Sequence, residues 1–379
     1  MLNPALVIFN GRLLPFSETF IRAQAEGLKT FTPYYVGCRF VRGLSLPPER
    51  TLVVNNGNFI GKAKEGIFKS LGIAPQLYQQ VKQLHPKMIH AHFGVCGALA
   101  LPFARKLQVP LIVTFHGIDA TMTDEYARKD SLSTRVYLHR RESLKRDTQL
   151  FVAVSNFLKS TLVNQGFPAN RIIVHNIGID TELFQPDMTV HREPIVLFVG
   201  RLVEKKGCEY LIKAMSEVQT VNPEIELVVI GDGELRKSLE TKAKLTLKKY
   251  RFLGIQTPKV VRNWMNKAKV FCVPSIRAKS GDCEGFGLVF TEAQAMGLPV
   301  VSFASGGIPE AVAHNQTGFI VEEKDWQALG ENILQLLDDP NLWQIFSETG
   351  YQRVRERFDL HKQNQALEEI YQNVIKSTC

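Results

Sequence analysis

The stretch that decides the fold runs from Glu284 to Glu310 and reads EGFGLVFTEAQAMGLPVVSFASGGIPE. It is apolar and rich in glycine, yet it carries three acids, at positions 284, 292 and 310. Residues 287–296 have the spacing of a helix, which Gly297-Leu298-Pro299 ends, and the run 300–303 has the composition of a buried strand. A helix that leads into a buried apolar strand is typical of a parallel sheet covered by helices on both faces.

The same alternation of short apolar runs and longer helical patterns extends outward along the whole chain. The predicted strands are residues 5–9, 51–54, 88–92, 111–115, 151–154 and 172–175, then 194–199, 225–230, 248–253, 270–273, 300–303 and 318–321. Most are followed by a turn and a helix, and the rhythm restarts after the polar segment QPDMTVHREP. We therefore predict an α/β protein with two Rossmann-like parallel-sheet domains that face each other across a cleft. The predicted domains are 1–188 and 189–357, with a helix over 358–379 that packs back on the first domain.

The amino-acid composition limits the classes of protein to which the chain can belong. The chain has 379 residues, 45% of them hydrophobic and 22% charged, as in ordinary globular domains. The apolar run 5–9 is broken at once by Asn10-Gly11-Arg12, so we expect no signal peptide. No apolar run reaches the roughly 18 residues of a membrane span, so we expect no span. The six cysteines form no C-x-x-C pair, which favours a reducing, cytoplasmic compartment without a zinc site or disulfide framework.

Charge is distributed unevenly. Residues 1–188 hold 22 Lys/Arg against 13 Asp/Glu, whereas residues 189–379 hold 24 of each, so the whole net charge of +9 lies in the first half. This predicts an anionic partner for the first domain. Two segments, 58–72 and 128–146, are candidates for docking on the inner face of the plasma membrane. Nucleic acid is not expected, because no recognition motif or stacking platform is present.

The acids in the quoted stretch suggest how it binds a ligand. Glu284 and Glu292 would lie about 12 Å apart along a helix and offset by about 80°, too far to act on one atom but well placed to hold two ends of an extended ligand. Between them, Gly285-Phe286-Gly287 opens the helix, where free N–H groups suit a phosphate. An acid, a phosphate-binding helix opening and a second acid, in this order, match the sugar, the diphosphate and the ribose of one ligand.

Here the chain resembles a known family. The quoted stretch is similar to the donor-site signature of family 4 glycosyltransferases, which are retaining enzymes of the GT-B fold. Further matching motifs occur in the family's order: HAHFG (90–94), TFHGID (114–119), VGRLVEKKG (199–207), VIGDGELR (229–236) and FLG (252–254). LPFSETFI (14–21) resembles a subset that builds exopolysaccharides, such as colanic-acid transferases. The resemblance implies a nucleotide diphosphate sugar as donor, a lipid-linked or oligosaccharide acceptor, and no metal or other cofactor.

The resemblance also implies roles for individual residues. Arg201 and Lys206 would stabilise the leaving diphosphate, and Glu284 and His116 would contact the donor sugar. The donor-binding candidates are Gly200, Phe252, Leu253, Gly254, Gly285, Phe286, Gly287, Leu288, Val289 and Glu292. The acceptor-side candidates are Gly11, Ser17 and His92. Many relatives have a Gly-Gly loop after the first strand, whereas here Gly11 alone stands in the predicted loop FNGRLLPFSE.

Three other functions remain open at this point. A nucleotide-sugar epimerase of the GT-B fold would need no acceptor and would lack the arrangement of Glu284 and Glu292. A dinucleotide-dependent oxidoreductase would need G-x-G-x-x-G early in the chain, but Gly231-Asp232-Gly233 lies in the second half and lacks the third glycine. A catalytically inactive nucleotide-sugar-binding protein is disfavoured, because all the ionic donor-site residues are present. His90 and His92 alternate like metal ligands, but we interpret their segment as structural.

Overall fold

The computed structural model describes the backbone of residues 3–378 and the side chains of residues 3–377. Within this range the chain divides into two compact units. Unit 1 contains the residues up to Gly178 together with those from Leu360 onward, and unit 2 contains Ile179–Asp359.

Unit 1 is built on a seven-stranded sheet in which every strand pairs in parallel with its neighbours. Its strands are β1 (Ala5–Leu13), β2 (Thr32–Phe40), β3 (Thr51–Asn55), β4 (Met88–His92), β5 (Leu111–Phe115), β6 (Leu150–Ala153) and β7 (Ile172–Val174). They lie in the order β3-β2-β1-β4-β5-β6-β7. Every residue of β4 and β5 is buried, as expected for central strands covered on both faces.

Two features of this sheet differ from the sequence prediction. The strand β2 was missed, because Pro33 and Gly37 both weaken a strand pattern; pairing with β1 on one side and β3 on the other overrides that preference. The prediction also ended β1 at Phe9, where Asn10-Gly11-Arg12 reads as a turn. Pairing of Arg12 and Leu13 with the end of β2 keeps this segment extended.

Unit 2 is built on a six-stranded parallel sheet. Its strands are β8 (Ile195–Val199), β9 (Glu226–Ile230), β10 (Tyr250–Phe252), β11 (Val270–Cys272), β12 (Val300–Phe303) and β13 (Gly318–Val321), in the order β10-β9-β8-β11-β12-β13. All six strands predicted for this half are confirmed, with ends that shift by at most two residues.

Helices follow most of the strands, as the sequence pattern predicts. In unit 1 they are α1 (Thr19–Glu26), α2 (Phe59–Leu71), α3 (Pro75–Gln83), α4 (Gly94–Leu107), α5 (Ile118–Thr121), α6 (Asp124–Asp130), α7 (Leu132–Asp147) and α8 (Asn156–Asn164). In unit 2 they are α9 (Cys208–Val221), α10 (Arg236–Thr246), α11 (Pro258–Lys267), α12 (Leu288–Ala295), α13 (Ile308–Ala311), α14 (Trp326–Asp338) and α15 (Pro340–Arg357). The last helix, α16 (Leu360–Thr378), belongs to unit 1.

The last helix and the start of unit 2 are fixed by specific contacts. Tyr371 of α16 is fully buried in the core of unit 1, and its hydroxyl lies 2.6 Å from Nδ1 of His90. Unit 2 begins at Ile179 rather than at the predicted 189, because the Ile179 N–H donates to the Phe358 carbonyl at 2.8 Å and Thr181 hydrogen-bonds Asp359. The segment after Gly178 is thus a strap of unit 2 rather than a free linker.

None of the helices in the described part of the chain is both long enough and apolar enough to cross a membrane.

Candidate functional site

In unit 2 the strand order reverses between β8 and β11, which are neighbours in the sheet although β9 and β10 separate them in the chain. Open parallel sheets bind ligands beyond the carboxyl ends of the strands at such a reversal. The segment after β8 carries Arg201 and Lys206, and the segment after β11 leads through Ser275 to Glu284. The ionic residues predicted for the leaving group and the sugar therefore follow the two strands that flank this point.

The structure joins two of these residues in a buried ion pair. Lys206 Nζ lies 2.6 Å from Glu284 Oε1, and the Ser275 hydroxyl donates to the same oxygen at 3.1 Å. Burial alone would raise the pKa of Glu284, but Lys206, the adjacent Lys205 and the Ser275 hydrogen bond lower it to about 2. Glu284 is thus held in its ionised form, which is the form that stabilises a developing positive charge.

A second ion pair adjoins the first and was missed by the sequence analysis. Lys205 Nζ lies 3.1 Å from Asp282 Oδ1, and both side chains are nearly buried. The charge of Lys205 also lowers the pKa of Glu284, so the two pairs are electrostatically coupled. The sequence does carry a signal for it: two consecutive lysines could pair with the two acids of GDCEG. The prediction used only one of these acids, Glu284.

Arg201 stands apart from these pairs. Its side chain is exposed, and it makes no hydrogen bond or ion pair with the side chains described by the structure. The site thus contains two cations that are neutralised by direct contact, Lys205 and Lys206, and a third, Arg201, that has no such contact among the described side chains. An exposed guanidinium of this kind suits the bidentate recognition of phosphate.

Close backbone contacts hold the segments around the ion pair together. Gly207 follows Lys206 in the left-handed region, with φ of 61°, and a Cβ atom there would lie 1.8 Å from the Pro274 carbonyl oxygen. A Cβ atom on Gly306 would lie 2.2 Å from the Glu284 carbonyl oxygen. Only glycine fits at either position, so Gly207 lets the segment of Lys206 pack on the one after β11, and Gly306 lets the segment after β12 pack on Glu284.

The glycine-rich opening of α12 has the features of an anion-binding helix start. Gly287 is the N-cap of α12 and supplies no side-chain cap, so Leu288 and Val289 begin a helix whose first N–H groups have no side-chain acceptor at the cap. The Phe286 ring is buried and packs on Phe358, with centroids 5.1 Å apart. Phe286 and Gly285 can therefore offer a ligand only their backbone groups.

Glu292 differs from Glu284 in its surroundings. It lies in α12 and is half-buried, and its carboxylate forms no hydrogen bond or ion pair within the described part of the chain. Burial raises its pKa to about 7, against the opposing charges of Arg262 and Lys206. Glu292 is thus a strong hydrogen-bond acceptor that the protein itself does not satisfy, as suits a group that binds hydroxyls.

The segment Phe252–Gly254 joins β10 to the loop after it. The Leu253 carbonyl accepts from the Gln256 side chain at 2.5 Å, and the Gly254 carbonyl accepts from the Gly231 N–H at 2.9 Å. These bonds tie the loop to the turn after β9. The next side chain, Ile255, is 80% exposed.

Unit 1 has its own reversal of strand order, between β1 and β4. His92 ends β4 and His116 follows β5, and the structure brings them together, with His92 Nδ1 3.0 Å from His116 Nε2. Burial lowers the pKa of His116 to about 3 and that of His92 well below its usual value, so both rings are neutral. His92 Nε2 and His116 Nδ1 are buried without a partner among the described residues.

His90 is a structural residue, as the sequence analysis interpreted it. Its two ring nitrogens lie 2.6 Å from the Tyr371 hydroxyl and 2.6 Å from the Thr114 hydroxyl. Within residues 3–377 the structure contains no group of three or more His, Cys, Asp or Glu side chains with the geometry of a metal site.

The acceptor-side candidates near the N-terminus are placed differently from expectation. Gly11 was predicted in a loop, but it is a buried residue inside β1, and its N–H donates to Cys96 Sγ at 3.2 Å. The loop assignment is wrong because β1 continues to Leu13. Ser17 is exposed in the short turn Phe16–Glu18 that precedes α1.

Comparison with known proteins places this architecture in a class. Among solved structures, the chain resembles Anabaena Alr3699/HepE in complex with UDP and glucose, with a TM-score of 0.77, 20% identity, and coverage of 96% of this chain and 98% of that one. It also resembles sucrose-phosphate synthase from Thermosynechococcus elongatus, with a TM-score of 0.78, 20% identity, and coverage of 99% and 100%. The fold is that of a GT-B glycosyltransferase, as the sequence resemblance predicted.

Sequence comparison identifies the family. The model of Glycosyltransferase Family 4 matches residues 33–183, and that of Glycosyl transferases group 1 matches residues 180–353. The amylovoran biosynthesis glycosyltransferase AmsK of Erwinia amylovora is 32% identical over 291 residues, which are 72% of this chain and 70% of that protein. The putative colanic acid biosynthesis glycosyltransferase WcaL of Salmonella typhimurium is 27% identical over 301 residues, 75% and 70% of the two chains. This chain belongs to glycosyltransferase family 4 and is a glycosyltransferase.

Proposed function

We propose that this glycosyltransferase moves a sugar from a nucleotide diphosphate sugar to a lipid-linked or oligosaccharide acceptor, with retention of anomeric configuration, in the synthesis of an exopolysaccharide or cell-envelope glycan. The observation that carries the proposal is the buried pair of Lys206 and Glu284 at the strand reversal of unit 2, together with the exposed Arg201, which is unpaired among the described side chains. The names of AmsK and WcaL, and the UDP and glucose in the HepE crystals, support the choice of donor and pathway.

The charges of unit 2 suit departure of a nucleotide diphosphate. Arg201 and Lys206 stabilise the negative charge that grows on the leaving group. The Lys206 ammonium has three N–H donors, so it can hold Glu284 with one and contact a phosphate oxygen with another. Because these side chains supply the positive charge, we propose that the reaction needs no metal and no other cofactor.

The remaining groups of unit 2 bind the two ends of the donor. Glu284, ionised and held by Lys206 and Ser275, stabilises the positive charge that develops at the anomeric carbon. Glu292 accepts hydrogen bonds from the ribose hydroxyls, and the first N–H groups of α12 bind phosphate and sugar oxygens. In unit 1, neutral His116 contributes a contact to the donor sugar.

The overall reaction is a substitution at the anomeric carbon. The bond from that carbon to the phosphate oxygen breaks, and the acceptor oxygen bonds to the carbon on the face from which the diphosphate leaves. The acceptor hydroxyl gives its proton to the departing diphosphate, and the products are a glycoside and a nucleoside diphosphate.

Product analysis tests this proposal. We expect the protein to hydrolyse one of a set of UDP- and GDP-sugars slowly, and to transfer its sugar when a bacterial lipid extract or an oligosaccharide is added. NMR of the product from an α-linked donor should show an α-linkage, and EDTA should leave the rate unchanged. Conversion of a nucleotide sugar into its epimer, without hydrolysis or transfer, would instead identify the GT-B epimerase considered as the alternative.

We also propose that unit 1 docks on an anionic membrane surface, where a lipid-linked acceptor is found. The contacts of the segment 128–146 count against it as the docking surface, because Arg141 pairs with Asp124 and Arg140 donates to the Ala98 and Ser70 carbonyls. The helix α2 is different. Its exposed side chains include Phe59, Ile60, Ile67 and Leu71 together with Lys62 and Lys64.

A further inference from the structure

The strand reversal of unit 1 contains a buried carboxyl that the donor chemistry does not use. Glu18 is only 9% exposed and occupies the N-cap position of α1, but its side chain does not cap the helix. Instead, its Oε2 accepts a hydrogen bond from Asn10 Nδ2 at 2.7 Å. Asn10 lies on β1, so the Glu18 carboxyl points to that strand rather than to its own helix.

A second Asn–Glu pair in the same unit shows what a structural pair looks like. Glu65 accepts from Asn55 Nδ2, also at 2.7 Å, and is buried as well. Its carboxylate is then neutralised by Lys69 at 2.6 Å, with Arg39 at 3.8 Å. Glu18 has no such cation: it forms no ion pair within the described side chains.

The environment of Glu18 is accordingly that of an unsatisfied group. Burial raises its pKa to about 7, against the Asn10 hydrogen bond and the charge of Arg12. Its second oxygen, Oε1, has no hydrogen-bond partner among the described residues and is not fully buried. A carboxyl kept in this state, at a cost to stability, is more typical of a ligand site than of a structural contact.

The location supports the same interpretation. Phe9 pairs with Ala91, so Asn10 of β1 lies level with His92, where β4 ends, and the two strands that flank the reversal both present polar groups there. Phe20, two residues after Glu18, packs on the His116 ring with centroids 4.9 Å apart. The unpartnered nitrogens His92 Nε2 and His116 Nδ1 therefore belong to the same edge of the sheet as the Glu18 segment.

We propose that Glu18, positioned by Asn10, is the residue of unit 1 that binds the acceptor sugar, with Oε1 accepting a hydrogen bond from one of its hydroxyls. The inference rests on the proposed function, because only a transferase needs a site for an acceptor sugar. It concerns binding alone, so it can be tested without donor and without turnover.

The test compares the wild type with Glu18→Gln and with Glu65→Gln, the matched control from the other Asn–Glu pair. Binding of octyl glucoside, galactoside, mannoside and N-acetylglucosaminide, below their micelle concentrations, is followed by ligand-observed NMR in the absence of nucleotide. We expect the wild type to bind at least one of them. Glu18→Gln should bind it roughly tenfold to a hundredfold more weakly, the loss of a hydrogen bond to a charged group.

Two further measurements separate this role from a structural one. Glu18→Gln should have a thermal midpoint at or above that of the wild type, because it removes a buried charge, and it should keep the rate of nucleotide-sugar hydrolysis without acceptor, while KM for the glycoside rises. The inference is overturned if no glycoside binds the wild type, if Glu18→Gln binds as well as Glu65→Gln, or if its hydrolysis and midpoint fall together with binding. Absence of hydrolysis by the wild type would contradict the proposed donor chemistry instead, and would leave the NMR comparison valid.

Discussion

At the scale of single residues, Glu284 and Glu292 show how two carboxylates of one segment come to differ. Glu284 is held ionised by Lys206, and its pKa falls to about 2, whereas the Glu292 carboxylate has no partner among the described side chains and its pKa rises to about 7. The sequence predicted that both acids serve a ligand. It could not predict the ion pair, because that depends on the distance between segments far apart in the chain.

The pKa of Glu292 gives a prediction with a definite sign. Its pKa is raised in the folded protein, so the carboxyl costs no stability below its unfolded value of 4.5, and the cost is complete once the pH exceeds about 7. Glu292→Gln should therefore stabilise the ligand-free protein by about 1–3 kcal/mol at pH 8 and leave it unchanged at pH 4.5. Denaturant unfolding at the two pH values measures this. An equal change at both would show that Glu292 is not the titrating group.

The same substitution should weaken nucleotide binding. Removal of the charged acceptor from the ribose hydroxyls is expected to cost about 1.5–3 kcal/mol. Calorimetry with UDP and GDP at pH 8 checks this value, and unaltered affinity would remove Glu292 from the donor site.

Loss of Arg201 and loss of Lys206 should have different effects on the stability of the protein, although both residues act in catalysis. Either Arg201→Ala or Lys206→Ala should lower the transfer rate by about two to three orders of magnitude. Only Lys206→Ala leaves a buried carboxylate without its partner, which should cost about 3–5 kcal/mol. The double variant Lys206→Ala/Glu284→Gln should recover part of that loss. Equal unfolding midpoints for the two single variants would contradict the buried pair.

At the scale of elements, the sequence predicted the strands of unit 2 better than those of unit 1. The strands β8 and β11 are uninterrupted apolar runs, whose burial follows from composition alone. The strand β2 and the end of β1 contain Pro33, Gly37 and Gly11, and they are extended because β2 pairs with β1 on one side and with β3 on the other. Local propensity cannot reveal pairing of that kind.

Gly207 tests whether the contact between segments shapes the site. Gly207→Ala places a methyl group 1.8 Å from the Pro274 carbonyl oxygen at a φ of 61°, so it should destabilise the protein by about 1–3 kcal/mol and separate Lys206 from Glu284. Gly200→Ala is the control, because its methyl group would meet no atom closer than 3.6 Å. Thermal unfolding compares the two. Equal unfolding midpoints for Gly207→Ala and Gly200→Ala would mean that the contact between Gly207 and Pro274 does not hold the two segments together.

At the scale of the whole molecule, the division into units sharpens the charge asymmetry. Unit 1 holds 24 Lys/Arg against 12 Asp/Glu, a net charge of +12, and unit 2 holds 22 against 25, a net charge of −3. The sequence-based boundary gave +9 and zero, because it assigned acids of the strap after Gly178 to the first domain. The basic unit is therefore the one that should meet an anionic surface.

Vesicle co-sedimentation measures this docking. Binding should increase with the content of anionic lipid and weaken with salt, at about 1 kcal/mol for each basic side chain near the surface. Lys62→Glu/Lys64→Glu should release the protein, whereas the same change of charge at Arg128 and Arg135 should have little effect. Binding that ignores lipid charge, or equal release by both double variants, would contradict docking through α2.

The central claim is that the strand reversal of unit 2 binds the nucleotide diphosphate through the uncompensated charge of Arg201. Calorimetric titration of UDP and GDP into the wild type, Arg201→Ala and Arg251→Ala tests it most directly, since Arg251 is an exposed arginine of the same unit already paired with Glu226. We predict that the wild type and Arg251→Ala bind one nucleotide with equal affinity and that Arg201→Ala binds it at least about tenfold more weakly. Equal affinity in all three proteins, or no binding of either nucleotide by the wild type, would contradict the assignment of this site.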